Sequence, residues 1–319
     1  MKKYRNTIPL LALGLCAHSA FGQTSFAGYD WFDGSDATVV TDGNLVSTTG
    51  SSSSTWTVYF APEESPATLA EAGDKLVIVW KFKMSGVNVS NTSQNFRIGV
   101  MDSPAETRVT MNNAPVEGAY TGYAMFGNLG QVTDNSGAFQ IRERNGTGGT
   151  LGTSSLWTAQ DSGMGKAVLG YADDIEYTFT ASIERTANGS AKVDFSMVGG
   201  SINDTGSVSV SFLDGSPQPF TYDTFMIRPS NASTTANTFT TTSFTVTAPE
   251  GTGNGGGETK GPGIFSDYDM TADGWVSTAN WMGWVNTVRY PWVFSAAFNQ
   301  YIYIPEGGGA SGTWAYIPR

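Results

Sequence analysis

The sequence predicts an all-β protein: a two-sheet sandwich or jelly roll followed by a small antiparallel β module. Three observations predict it. Apolar and polar residues alternate over many short runs, the signature of strands with one buried face. Gly, Asn, Asp and Ser punctuate those runs at turn-like intervals. No amphipathic helical pattern occurs between Thr24 and Ala248, so a parallel α/β fold is excluded. Disorder is excluded for most of the chain by the 13% aromatic content and the frequent alternation.

The N-terminal residues 1–22 read as an export signal. Lys2, Lys3 and Arg5 form a basic start, Ile8 to Leu15 an apolar stretch, and Ala20-Phe21-Gly22 a small-x-small cleavage site. The apolar stretch is far shorter than the about 20 residues needed to span a bilayer. Cys16 follows Leu15 where a lipoprotein signal needs a small residue, so it is not read as a lipid attachment site. Cleavage leaves Gln23 first and places the protein outside the cell or on its surface, with no transmembrane anchor.

That cleavage removes the only cysteine, Cys16, and the only histidine, His18. Ser-His-Asp and Cys-His catalysis, His or Cys metal sites and disulfides are thereby excluded from the expected mature chain. It also removes Lys2, Lys3 and Arg5, leaving 14 basic residues against 28 acidic. Such an acidic balance disfavours nucleic acid and anionic membrane as partners.

Residues 23–248 carry the sandwich. Leu76, Ile78, Trp80, Phe82 and Met84 alternate with Val77, Val79, Lys81 and Lys83, and Trp80 is assigned to the core. Phe96–Met101, Thr121–Phe126 and Phe139–Arg144 follow as further strands. Tyr177–Arg185 and Ala191–Val198 flank Asn188-Gly189, which predicts a tight hairpin. Val208–Phe212, Tyr222–Arg228 and Ser243–Thr247 complete the series. Ala105–Tyr120 and Asn145–Gly170 read as long loops, where binding residues usually reside.

This succession of strands resembles the exported concanavalin A-like jelly-roll domains of polysaccharide-degrading bacteria. Phe139-Gln-Ile-Arg-Glu-Arg144, followed by a Gly/Thr-rich loop, is its most distinctive piece. The resemblance covers roughly Ser25 to Ala248 and implies a jelly-roll β-sandwich with lectin-like glycan binding. It brings no catalytic motif with it.

Residues 249–263 are Gly-rich and read as a flexible linker with a reach of about 20 Å. Residues 264–319 form the aromatic module. Five of the nine tryptophans of the chain, Trp275, Trp281, Trp284, Trp292 and Trp314, lie here. The rhythm is Gly274-Trp275-Val276, Gly283-Trp284-Val285 and Pro291-Trp292-Val293. Tyr301–Ile304 and Thr313–Ile317 read as further strands. The module resembles aromatic surface-attachment repeats of exported proteins. A domain this small, without disulfide or metal, must bury bulky side chains, so some of its tryptophans are core and the rest form a surface. Trp284 and Trp292 are the first choices for that surface.

Flat aromatics flanked by amides and charges suit glycan recognition, because ring faces pack on the apolar faces of sugars. In the sandwich the candidates are Trp157, Tyr120 and Tyr123, with Arg142 and Arg144 able to contact a sugar carboxylate or sulfate. The plainer reading of the two arginines is a solvent-facing strand whose charges blunt aggregation. Asp30, Asp33 and Asp36 are the candidate ligands for a structural calcium; the plainer reading is a polar turn. No strand carries two carboxylates at glycosidase spacing, and Glu143 stands alone in sequence between two arginines. The expected function is therefore non-catalytic binding of polysaccharide or cell-surface glycan. A His-free glycosidase or lyase and a structural envelope protein are the alternatives.

Overall fold

The computed structural model describes residues 24–34, 38–52, 54–104, 107–112, 117–217, 220–249, 265, 268, 270, 274–278, 284–287, 289–296 and 300–304. The expected export signal, nearly all of the linker, Trp281, and the strand containing Trp314 and Tyr316 lie outside these residues.

The strands in chain order are β1 (Thr24–Phe26), β2 (Tyr29–Asp33), β3 (Thr38–Thr41), β4 (Asn44–Thr48), β5 (Ser54–Tyr59), β6 (Ala67–Thr68), β7 (Lys75–Ser85) and β8 (Phe96–Asp102). They continue with β9 (Glu117–Gly118), β10 (Thr121–Gly127), β11 (Phe139–Arg144), β12 (Gly148–Gly149), β13 (Trp157–Met164), β14 (Tyr177–Arg185), β15 (Ala191–Val198) and β16 (Ser207–Asp214). β17 (Thr221–Tyr222), β18 (Thr224–Ser230) and β19 (Thr238–Thr247) finish the sandwich. β20 (Trp275–Ser277), β21 (Trp284–Asn286), β22 (Trp292–Ser295) and β23 (Gln300–Tyr303) form the module. Helical structure among the described residues is limited to two three-residue 3₁₀ turns and the 3₁₀ conformation of Phe265.

An eight-stranded sheet runs β1-β2-β5-β18-β8-β10-β11-β13, and a seven-stranded sheet runs β16-β15-β14-β7-β19-β4-β3. The chain passes back and forth between them, for example β7 to β8, β13 to β14 and β18 to β19. Both are antiparallel and pack face to face as a jelly-roll sandwich. The alternation in β7 places Leu76, Ile78, Trp80, Phe82 and Met84 inside, each at most 2% exposed. Trp80 stacks on Phe82 at 3.9 Å and donates its indole N–H to Thr241 Oγ1 at 2.9 Å, so its one polar atom is satisfied in the core. From the other sheet, Trp56, Ile98, Val100, Met125, Ile141, Phe225 and Ile227 enter the same core.

The hairpin expected at Asn188-Gly189 joins β14 to β15. Gly189, at φ +73°, sits where the left-handed conformation is required, and its N–H bonds Thr186 O at 3.0 Å. One expectation is corrected. The stretch read as a loop over Asn145–Gly170 contains β13, the edge strand of the eight-stranded sheet. Only Trp157 and Met164, at its ends, are buried, so no alternation marks it. β13 nearly touches β16 of the other sheet: a side chain at Gly163 would collide with the Ser209 carbonyl. This approach closes one side of the sandwich.

The second part of the expected fold is present as well. β20, β21, β22 and β23 form a four-stranded antiparallel sheet in chain order. Among the described residues, no helix is long and apolar enough to cross a membrane.

Candidate functional sites on two sheet faces

The C-terminal sheet sorts its side chains by kind. Registers Val276–Val285 and Val293–Ile302 put the valines and isoleucine on one face, where they join Ile304 and Phe265 in a core at most 1% exposed. Strand alternation then puts Trp275, Trp284, Trp292, Phe294, Tyr301 and Tyr303 on the other face. Trp284 is 51% exposed, Trp292 40% and Tyr301 43%. Neighbouring rings brace one another: Trp292 lies 5.1 Å from Tyr303, and Phe294 lies 5.4 Å from Tyr301. Arg289 reaches over Tyr301, and with Trp292 the two line an open hollow of about 260 Å³. The Gly-Trp-Val rhythm of the sequence is therefore a two-faced sheet, with valine inward and tryptophan outward. Trp284 and Trp292 stand where the sequence placed them, on the surface.

The second site is the outer face of the eight-stranded sheet. Residues alternating with the core positions, such as Phe32, Met101, Ala124, Phe126 and Met226, form a separate cluster there under two loops. The first loop, 103–112, is pinned by Arg108. Its guanidinium meets Asp223 at 2.6 Å, bonds Ala61 O at 2.8 Å and lies 4.6 Å from the Tyr59 ring. Asp223, 1% exposed, also accepts from Ser103 N, Ser103 Oγ and Thr224 Oγ1. The second loop, 145–156, is pinned by Arg144, whose guanidinium donates to Thr150 O at 2.6 Å and Gly148 O at 2.9 Å.

Several candidates from the sequence belong to this supporting layer and not to a surface. Trp157 is 4% exposed, packs on Phe126 and donates to Thr150 O at 2.9 Å. Its Gly/Thr/Ser surroundings look exposed in sequence but are folded over it by Arg144, itself buried. Tyr120 and Tyr123 are buried too. Tyr120 meets the Tyr59 hydroxyl at 3.3 Å, and Tyr123 donates to Asp214 at 2.7 Å. Burial pushes both phenols well above the ordinary tyrosine range. Trp157 and Tyr120 cannot stack on a ligand without the loops opening, and Tyr123 points into the core between the two sheets.

Arg142 does reach the surface, and it is joined by two arginines that the sequence reading passed over. Register pairs Arg97 with Arg228 on one side and with Phe126 on the other, and Phe126 pairs with Gln140. Arg97 and Arg142 lie 4.4 and 4.5 Å from the Phe126 ring centroid. Arg142 is held by the amide oxygens of Gln140 at 3.0 Å and Gln94 at 2.5 Å, and Arg97 by Gln94 O at 3.0 Å and Leu151 O at 2.5 Å. None of the four ion pairs among the described residues involves any of the three. Burial, followed by the charges of Arg228 and Arg142, lowers the Arg97 pKa to about 10. Burial also lowers Arg142 and Arg228.

Carboxylates meet elsewhere. Glu143, alone in sequence, lies against Asp214 of β16 at one end of the sandwich, and Gln160 donates to it at 3.1 Å. Burial and then Asp214 push its pKa up.

The calcium set is not assembled. Asp30 and Asp33 lie three positions apart on β2 and so project to opposite faces, one exposed and one 2% exposed. Asp33 accepts from Thr38 Oγ1 at 2.5 Å, as a polar turn would have it. Asp36 lies outside the described residues. Among the described residues, no group of three or more potential metal ligands is gathered.

No protein-family model matches the chain, and no curated protein matches it in sequence. Solved structures with a similar arrangement of strands include the lumenal domain of VIP36 bound to calcium and Man3GlcNAc, at 14% identity and TM-score 0.40 over 69% of this chain and 84% of that one. Peanut lectin is similar at 12% identity and TM-score 0.38 over 72% and 97%. An alginate lyase from Aplysia kurodai is similar at 9% identity and TM-score 0.40 over 69% and 90%. Likenesses this distant assign no residue and no activity to this chain.

Proposed function

We propose that this is an exported, non-catalytic glycan-binding protein, attached to polysaccharide or cell-surface glycan through the aromatic face of its C-terminal sheet. The observation that carries the reading is the sorting of that sheet. A small module with no disulfide gains most by burying its largest rings. Among its described residues this one buries valine, isoleucine and Phe265 and leaves Trp284, Trp292 and Tyr301 40–51% exposed. Stability alone does not produce that arrangement. A ligand that covers a flat aromatic surface accounts for it, and the apolar face of a pyranose chain is such a ligand. Arg289, Asn286 and Gln300 on or beside the same strands offer donors for sugar hydroxyls.

The reading is supported further by the export signal in the sequence and by an acidic composition unsuited to nucleic acid. The test is retention of the full chain on a panel of insoluble polysaccharides and purified cell envelope. The expected result is retention on at least one of them, reduced in the Trp284→Ala/Trp292→Ala variant. Passage of the unmodified protein through every matrix, or equal retention of the variant, overturns the proposal.

A further inference from the structure

We propose that Arg97, Arg142 and Arg228 form an anion-binding subsite on the outer face of the eight-stranded sheet, and that it takes the carboxylate or sulfate groups of an acidic saccharide. The inference rests on the glycan-binding reading for the saccharide and on the structure for the charge. Three half-buried guanidiniums, two on the neighbouring strands β18 and β8 and the third on β11 beyond β10, share one sheet face in a protein whose net charge is −11. With 28 acidic side chains in the sequence, a countercharge was easily supplied, yet neutral oxygens satisfy Arg97 and Arg142. Arg228 has no side-chain hydrogen bond or ion pair among the described residues.

The plainer reading of Arg142, as a charge that blunts aggregation on a solvent-facing strand, does not fit its place in the sheet. β18, β8, β10 and β11 are interior strands, and β1 and β13 are the edges. Holding like charges together out of water has a cost, and a bound anion removes it. Arginine suits that role because its planar fork grips carboxylate or sulfate through two parallel bonds. The shape matches a chain ligand. Strands lie about 4.8 Å apart, so the row Arg228, Arg97, Phe126, Gln140 spans roughly 14 Å, about three sugar rings. The amide of Gln140 ends this row, and the amides of Gln94 and Gln140 hold Arg142 beside it, so donors for both acid groups and hydroxyls lie on one face.

The test is calorimetric titration of the full chain with three soluble tetrasaccharides: a polyuronate, a sulfated galactan and an uncharged glucan. The expected result is binding of at least one acidic probe at least tenfold tighter than the glucan, weakened by added salt. Which acidic probe binds identifies the source of the anion. Arg228→Gln should weaken that binding about tenfold or more, the usual effect of one charge-assisted hydrogen bond. It should leave the melting temperature nearly unchanged, because this side chain makes no hydrogen bond or ion pair among the described residues. Lys83→Gln, which removes the same charge from the outer face of the other sheet, should leave binding intact. No binding of either acidic probe at millimolar concentration, equal binding of the glucan, or an unaltered affinity in Arg228→Gln overturns the subsite. Retention on insoluble neutral polysaccharide is a separate readout, so failure of the aromatic platform and failure of this subsite are told apart.

Discussion

Replacing Asp223 by alanine removes the anchor that, through Arg108 and Ser103, holds residues 103–104 and 107–112 over the outer sheet face. The side chain is 1% exposed and sits 2.6 Å from Arg108, which is 16% exposed. It also accepts from the Ser103 amide at 2.9 Å and from the hydroxyls of Ser103 and Thr224. Removing one partner of a buried ion pair costs about 3–5 kcal/mol. Arg108 keeps Ala61 O and Ser103 Oγ as acceptors and has some access to water, which places the cost at the lower end. The stranded Ser103 amide adds about 1 kcal/mol. The sum is about 4 kcal/mol for Asp223→Ala and about 2 kcal/mol for Asp223→Asn, which keeps an acceptor. Urea unfolding at pH 7 reads this as a lower midpoint at unchanged slope. A double-mutant cycle with Arg108→Gln should return a coupling above about 1 kcal/mol. Limited proteolysis should cut within 103–112 faster in Asp223→Ala than in the unmodified protein. A loss below 1 kcal/mol with unaltered proteolysis would show that the loop is not held by this pair.

Two further predictions follow from the same sheet. Trp157→Ala should cost about 3–4 kcal/mol in thermal or urea unfolding, as loss of a buried ring does; a loss under 1 kcal/mol would return Trp157 to the list of exposed ligand contacts. Asp102 is half-buried, and burial followed by the charge of Asp223 raises its pKa to about 6. A folded pKa above the unfolded value of about 3.9 means stability that is full below pH 4 and lost as pH rises through 6. Asp102→Asn should therefore stabilise the protein by about 1–2 kcal/mol at pH 8, after discount for its partial exposure, and by almost nothing at pH 4. Equal effects at both pH values would contradict it.

The sandwich was legible in sequence where a strand has one wet face. β14 and β15 alternate cleanly and flank Asn188-Gly189, so period and turn chemistry agree. β13 was not legible, because an edge strand buried only at Trp157 and Met164 has no period to read. The C-terminal surface was legible because each tryptophan precedes a valine, and strand alternation separates the two. Tyr123 was misplaced because β10 is buried on both faces, so no alternation shows that it points into the core. Trp157 and Tyr120 were misplaced because loop composition suggests exposure, while the bonds of Arg108 and Arg144 that close those loops join residues invisible as partners in a linear chain. The arginine row was missed for the same reason. Arg97 and Arg228 stand on neighbouring strands but are far apart in sequence, and only the register of β8 against β18 brings them together.

The central claim is that the exposed tryptophan face of the C-terminal sheet holds glycan. The most direct measurement is a depletion isotherm of the full chain on the polysaccharide that retains it, beside Trp284→Ala and Trp292→Ala singly and together. Half-exposed tryptophan offers roughly 100 Å² of ring to a sugar face, worth about 1.5–2.5 kcal/mol when covered. The account predicts at least a tenfold rise in dissociation constant for each single variant and near-complete loss for the pair, with the sandwich unfolding at an unchanged temperature. Isotherms that superimpose on that of the unmodified protein would contradict it.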